Sequence, residues 1–247
     1  MKIHSTITKS MKESKKLFAV LIDPDDVSKK NVDHLINLTL KSKIDLFFIG
    51  GSFISKNNFS EIIQHLKKYT DIPVIVFPGS IYQIDSHADA ILLLTLISGR
   101  NPEYLIGKHV QAAPYLKKSD LEILSTGYML IDGGNISSVQ YISNTMPIPP
   151  DKYDIAVSTA MAGEMIGNQL IYMDAGSGAK KPVSTHMISH VKRNIQSPLI
   201  VGGGIKTAEQ LNSTYTAGAD IAVIGNAIEK DPSLIVDFSS VALSFRQ

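Results

Sequence analysis

The chain has 247 residues, 44% of them hydrophobic and 19% charged, with a formal net charge of +1 and no cysteine. That composition supplies a large core, and the near-neutral charge argues against nucleic-acid binding, which calls for a basic stripe. Without cysteine there are no disulfides or thiolate metal sites, and a cytoplasmic enzyme is the expected class.

The basic segment 1–18 lacks the apolar centre of a signal peptide. The longest apolar run, 90–97, is strand-sized and well short of the roughly 18 residues of a membrane span. No integral membrane segment is expected, which leaves room for transient contact with a membrane surface.

Short apolar runs predict strands at 17–22, 46–49, 74–77, 90–96, 128–131, 170–173, 199–201 and 221–224. Continuous apolar runs of this length are the mark of strands buried on both faces. Amphipathic helices are predicted between them over 28–41, 60–69, 101–115, 153–166, 184–195, 207–218 and 233–245. Asn101 and Thr207 are read as caps, Pro102 as a first helical residue and Gly218 as a terminator.

Two connections are irregular. The third, 80–89, is too short for a full crossover, so its helix is expected to be shortened or replaced. The fifth is long and carries Pro147, Pro149 and Pro150, a stiff loop over one end. Eight strand–helix units predict an α/β fold, a single-domain (β/α)8 TIM barrel over 1–247. An open doubly wound sheet is the weaker reading, since no dinucleotide fingerprint is present.

Barrel chemistry sits at the C-terminal ends of the strands. There, 170–179 reads LIYMDAGSGA: a buried strand that delivers a carboxylate, then a turn whose Gly176, Ser177 and Gly178 can wrap an anion. GGGI at 202–205 and GN at 225–226 repeat the pattern. Together these turns predict a phosphate site.

Asp23 ends the first strand, before Pro24, and suits Mg²⁺ held jointly with phosphate oxygens. Asp25 and Asp26 read equally well as helix-start residues. Asp174, beside Tyr172, is placed to orient or deprotonate a hydroxyl. Asp132 reads as a turn residue as readily as a functional one.

His186 and His190 share a helix face but lack the Glu of a zinc-protease motif, so both are expected to face solvent. Lys180 and Lys181 are read as surface residues, and Met161, Met165 and Met187 as core or groove filler.

The motifs IDPD, FIGGS, VFPGS, IYMDAGSGA, IVGGGI and IGNAIE follow one another from Phe18 to about Asp231. In that order and spacing the chain resembles the geranylgeranylglyceryl phosphate synthases, most of all their bacterial-type branch, and the related heptaprenylglyceryl phosphate synthases. The resemblance implies a Mg²⁺-dependent prenyltransferase. It would join geranylgeranyl diphosphate, a prenyl diphosphate, to the C3 hydroxyl of sn-glycerol 1-phosphate and release diphosphate.

It also implies a metal site at Asp23 and Ser52. The glycerol 1-phosphate site would comprise Tyr172, Met173, Asp174, Ala175, Gly176, Ser177, Gly178, Gly203, Gly204, Gly225 and Asn226, with Asp174 and Tyr172 the catalytic candidates. Many relatives carry Glu where this chain has Asp174. Tyr104 is the candidate for limiting tail length, and a homo-oligomer is implied.

Three other readings stand beside it. A longer-chain prenylglyceryl phosphate synthase would share every motif. A phosphosugar isomerase or aldolase would want Lys or Cys at a strand end, and none is there. A non-catalytic phosphate sensor would not need both Asp23 and Asp174.

Overall fold

A computed structural model describes residues 2–246. Eight parallel strands close into a barrel in the order of the chain, with the last paired back onto the first. They are β1 (Leu17–Ile22), β2 (Leu46–Ile49), β3 (Val74–Val76), β4 (Ala90–Leu96), β5 (Glu122–Leu130), β6 (Leu170–Asp174), β7 (Leu199–Gly202) and β8 (Ile221–Ile224).

The strand predicted at 128–131 is the one whose bounds move most. β5 starts at Glu122, because pairing with β4 from Ala90↔Glu122 onward satisfies a backbone whose polar Glu122, Ser125 and Thr126 interrupt the apolar run.

Strand alternation sorts the core into two layers. Leu46, Phe48, Leu124, Leu170, Tyr172 and Ile200 fill the barrel, whereas Phe18, Phe47, Ile171, Met173 and Val201 face the helices.

The segment 1–18, read from sequence only as lacking a signal peptide, forms α1 (Ile3–Lys12) across the N-terminal mouth. Ile3 and Ile7 insert among the strand starts. No side chain of its own caps α1. Instead the N–H groups of Ile3 and His4 donate to the Glu122 carboxylate, at 2.5 and 3.0 Å, which sets a negative charge at the positive end of the helix. This explains why β5 begins with an acid.

The outer ring comprises α2 (Lys29–Thr39), α3 (Phe59–Tyr69), α4 (Lys108–Leu116), α5 (Ser138–Ser143), α6 (Tyr153–Met165), α7 (Thr185–Asn194), α8 (Ala208–Thr216), α9 (Asn226–Lys230) and α10 (Leu234–Ser244). Between β3 and β4 stands one 3₁₀ turn, Ile81–Gln83, as the short connection predicts. Gln83 does part of the absent helix's work: its side chain accepts from Gly79 N and donates to Gly51 O, both at 3.0 Å.

The helix predicted at 101–115 divides into a π-helical turn, Glu103–Gly107, and α4. The proline-rich fifth connection returns along β5, with Ile148 N donating to Leu130 O and Asp132 N to Ile148 O.

Ile7 is 2% exposed at the floor of the barrel. Ile7→Ala is expected to lower the unfolding free energy by about 2–4 kcal/mol, read from the midpoint of urea unfolding. A loss below about 0.5 kcal/mol would show that α1 is not part of the core.

Candidate active site

The C-terminal ends of the strands surround a cavity of about 650 Å³. Asp23, Ser52, Tyr172, Asp174, Ser177, Gly178, Gly203, Gly204, Gly225 and Asn226 all line it. From the centre the cavity runs out through the ring's gap between β3 and β4, along Ile81, Ile84, Leu93, Tyr104, Ala112 and Leu116.

Asp174 ends β6 on the barrel side. The Tyr128 hydroxyl donates to its Oδ2 at 2.6 Å and Gly176 N to its Oδ1 at 2.7 Å. Burial raises its pKa above the ordinary carboxylate range, against the lowering effect of those two bonds. The Tyr172 phenol is pushed well above its usual value by burial and then by the nearby Asp174 charge, so it remains a proton donor.

These side chains explain the glycines at and just after the end of β7. A Cβ on Gly202 would stand 2.6 Å from the Tyr172 hydroxyl, and one on Gly203 would stand 2.7 Å from Asp174 Oδ1. Gly203 also has φ +80°, a region that side-chain-bearing residues rarely adopt.

The turn after β6 is locked to the start of α9. Ser177 Oγ and Gly178 N both donate to Asn226 Oδ1, at 3.0 and 2.9 Å, while Asn226 Nδ2 donates to Glu229 Oε2 at 3.1 Å. The Asn226 side chain is thereby committed to the protein. What this sector offers a ligand is the Ser177 hydroxyl and glycine-rich backbone, the kind of surface that binds phosphate.

Not every predicted residue reaches the cavity. Met173 and Ala175 are buried in the layer between barrel and helices, because alternation along β6 turns them away from Tyr172 and Asp174. Gly176 acts through its N–H on Asp174.

Across the mouth, Asp23 is half-buried, and burial is the main cause raising its pKa. Its Oδ1 accepts from Asp25 N at 3.0 Å, and its Oδ2 lies where a Cβ on Gly51 would come within 2.7 Å. Asp25 is a structural residue of another kind than expected. Its carboxylate accepts from Ser55 N, Ser55 Oγ and Lys56 N, joining the loops after β1 and β2, while Ser28 caps α2.

Asp132 closes a turn by accepting from Gly134 N. His186 and His190 are exposed and lie against the Tyr153 ring, Met187 is core, and Met165 is exposed rather than buried.

Glu229, Tyr128 and Phe77 also line the cavity and were not singled out from the sequence. Glu229 was within reach of sequence reading, since it follows Asn226 by one helical turn. Tyr128 was not, because its partnership with Asp174 depends on the β5–β6 register, Tyr128↔Tyr172 and Leu130↔Asp174. Burial, Asp26 and Asp23 raise the Glu229 pKa to about 7.

A carboxyl whose pKa is raised on folding stabilises the fold below its ordinary pKa and loses that contribution as pH rises through the folded value, here about 7. Glu229→Gln is therefore expected to gain thermal stability relative to wild type as pH rises from about 5 to about 8. A difference in Tm that stays constant over this range would contradict the assignment.

The PcrB family model matches residues 9–242. The chain is 52% identical to the geranylgeranylglyceryl phosphate synthase of Chitinophaga pinensis, over 96% of this chain and 94% of that one. It is 50% identical to the Spirosoma linguale enzyme of the same name, over 98% of each. Among solved structures, (S)-3-O-geranylgeranylglyceryl phosphate synthase from Thermoplasma acidophilum, in complex with sn-glycerol-1-phosphate, superposes with a TM-score of 0.92. It is 30% identical and covers 98% of each chain. Sequence, fold and the cavity's lining agree, and the chain belongs to the PcrB family, among the geranylgeranylglyceryl phosphate synthases.

Proposed function

We propose that this chain transfers the geranylgeranyl group of its diphosphate to the C3 hydroxyl of sn-glycerol 1-phosphate, with Mg²⁺ as cofactor. The products are geranylgeranylglyceryl phosphate and diphosphate. One observation carries the reading: a single cavity joins a carboxylate pocket, a glycine-rich turn cluster and an apolar exit through a missing helix. An isomerase or aldolase would need the turn cluster but has no use for the apolar exit.

In this reading the backbone of Gly203 and Gly204 after β7 and of Gly225 and Asn226 after β8 holds the phosphate, beside the Ser177–Gly178 turn that the Asn226 side chain fixes in place. The phosphate is thereby fixed so that the glycerol hydroxyl lies near the allylic carbon. Tyr172 donates a hydrogen bond to the glycerol unit, and Asp174 accepts the hydroxyl proton or orients it.

The residues near Asp23 suit Mg²⁺. Among the described residues no three His, Cys, Asp or Glu side chains come together closely enough to form an all-protein site. Mg²⁺ is typically held by one or two carboxylates together with substrate phosphates, and Asp23 with Ser52 supplies such a half-site. The mutual repulsion of Asp23, Asp26 and Glu229 is what a divalent cation would relieve. Bound there, Mg²⁺ supplies charge neutralisation for the departing diphosphate.

The prenyl tail would leave by the apolar exit, where the Tyr104 hydroxyl donates to Ile142 O at 3.3 Å and closes one side. A homo-oligomer is supported by the exposed apolar side chains of Ile106, Val110, Tyr115, Tyr141 and Met146. No helix among the described residues is long and apolar enough to cross a membrane. A cytoplasmic enzyme that touches the membrane surface to take its substrate fits that observation.

The test is incubation with labelled sn-glycerol 1-phosphate, Mg²⁺ and prenyl diphosphates of graded length. A prenyl ether product is expected, abolished by EDTA and slowed at least about a hundredfold by Asp23→Asn. Retention of full activity in EDTA would remove Mg²⁺ from the account, and equal use of both glycerol phosphate enantiomers would refute the site as drawn. In the same assay Tyr104→Ala should shift the preferred donor to a longer prenyl chain. An unchanged length profile would show that Tyr104 does not limit the tail.

A further inference from the structure

Three aromatic rings floor the cavity between its two carboxylate sectors. Phe77 follows β3, Tyr128 lies on β5 and Tyr172 on β6, and all line the same space as Asp23 and Asp174. The Phe77 ring stacks on Tyr172 with centroids 5.5 Å apart and planes 21° from parallel, and stands 6.0 Å from Tyr128. Tyr128 meets Tyr172 edge-on at 5.4 Å. Tyr128 and Tyr172 are buried, at 4% and 1% exposed, whereas Phe77 is only partly so. Phe77 is thus the most exposed of the three rings in the cavity, and the two tyrosine rings back it.

The placement of Phe77 matters as much as its surroundings. β3 lies between β2, whose end carries Ser52, and the gap before β4 through which the cavity exits. If the diphosphate lies at Asp23 and Ser52, the attacking hydroxyl at Asp174 and the tail in the gap, the atom common to all three is the allylic C1. When the bond from C1 to the diphosphate oxygen weakens, positive charge spreads over the allylic carbons. An aromatic face carries partial negative charge and attracts a cation within about 6 Å of its centroid.

The Tyr128 hydrogen bond to a carboxylate draws electron density onto that phenol as well. Packing accounts for three rings in contact. It does not account for an apolar ring that, though packed on Tyr172 and 6.4 Å from Phe48, stays partly exposed in a space bounded by carboxylates.

We propose that Phe77 is a further catalytic residue, whose ring, backed by Tyr172 and Tyr128, stabilises the cationic allylic carbon during prenyl transfer. The bond from C1 to the diphosphate oxygen breaks with its electron pair on the diphosphate. A lone pair of the glycerol O3 forms the new C1–O bond, and the O3 proton passes to the Asp174 carboxylate. Charge and atoms balance with no further reactant. The inference rests on the prenyl-transfer reading above.

The test uses the full chain with Phe77 replaced by phenylalanine bearing one, two or three ring fluorines. Fluorination withdraws electron density from the face while nearly preserving ring size. The readout is the single-turnover rate of prenyl ether formation at saturating substrates and Mg²⁺, which excludes product release. The logarithm of the rate is expected to fall in step with fluorine number, by roughly tenfold or more at three fluorines. Affinity for sn-glycerol 1-phosphate should stay within about twofold, a change far below the tenfold that 1.4 kcal/mol represents.

A rate that does not change across the series overturns the role of Phe77, as does a fall matched by equal loss of glycerol phosphate affinity. The unsubstituted protein run in parallel separates the two claims: if it makes no prenyl ether, the underlying function is what has failed.

Discussion

Inside the barrel, Asp174 takes a hydrogen bond from the Tyr128 hydroxyl and another from the Gly176 N–H, and its carboxylate lies against the backbone of Gly203. Asp174 is 7% exposed, so losing either partner would leave a largely buried charge short of a donor, at a cost of about 1–3 kcal/mol. Three strands are bound to this requirement. β5 must present Tyr128 in register with Tyr172, β6 must end on the acid, and β7 must be bare of side chains where it passes.

The open sector between β3 and β4 is the second constraint. A regular barrel would shield that stretch with a helix. Here a 3₁₀ turn and the two side-chain hydrogen bonds of Gln83 hold the loop, and apolar side chains of β4 and α4 border a channel instead. The π-helical turn at Glu103–Gly107 sits at the head of this channel and presents Tyr104 to it. π turns are uncommon and concentrate at working parts of proteins. The apolar channel and the irregularities of the fold therefore coincide.

Charge divides the mouth. On one side burial, and then the charges of Asp26 and Asp23, raise the Glu229 pKa to about 7. On the other, Asn226 fastens the Ser177–Gly178 turn while tied to that same Glu229. The acidic sector and the glycine-rich turn are thereby joined through one amide side chain.

Much of this was legible before any coordinates. Apolar runs buried on both faces announced parallel strands, their number announced the closed barrel, and Asp23, Asp174 and the glycine turns were recognisable from their positions at strand ends. The short third connection disclosed its missing helix by length alone. Those features are local, set by residue type and spacing along the chain.

What required the folded molecule was every relation between distant segments. Residues 3–12 show no strand-end motif, yet as α1 they plug the barrel, held by Glu122 across 118 and 119 residues of chain. Met173 sits within the motif but faces the helices, and Tyr128 became a site residue only once strand register brought it to Asp174. The physical reason is that residue chemistry is written along the chain, whereas burial, pairing register and the mutual repulsion of carboxylates arise only when strands far apart in sequence are set side by side.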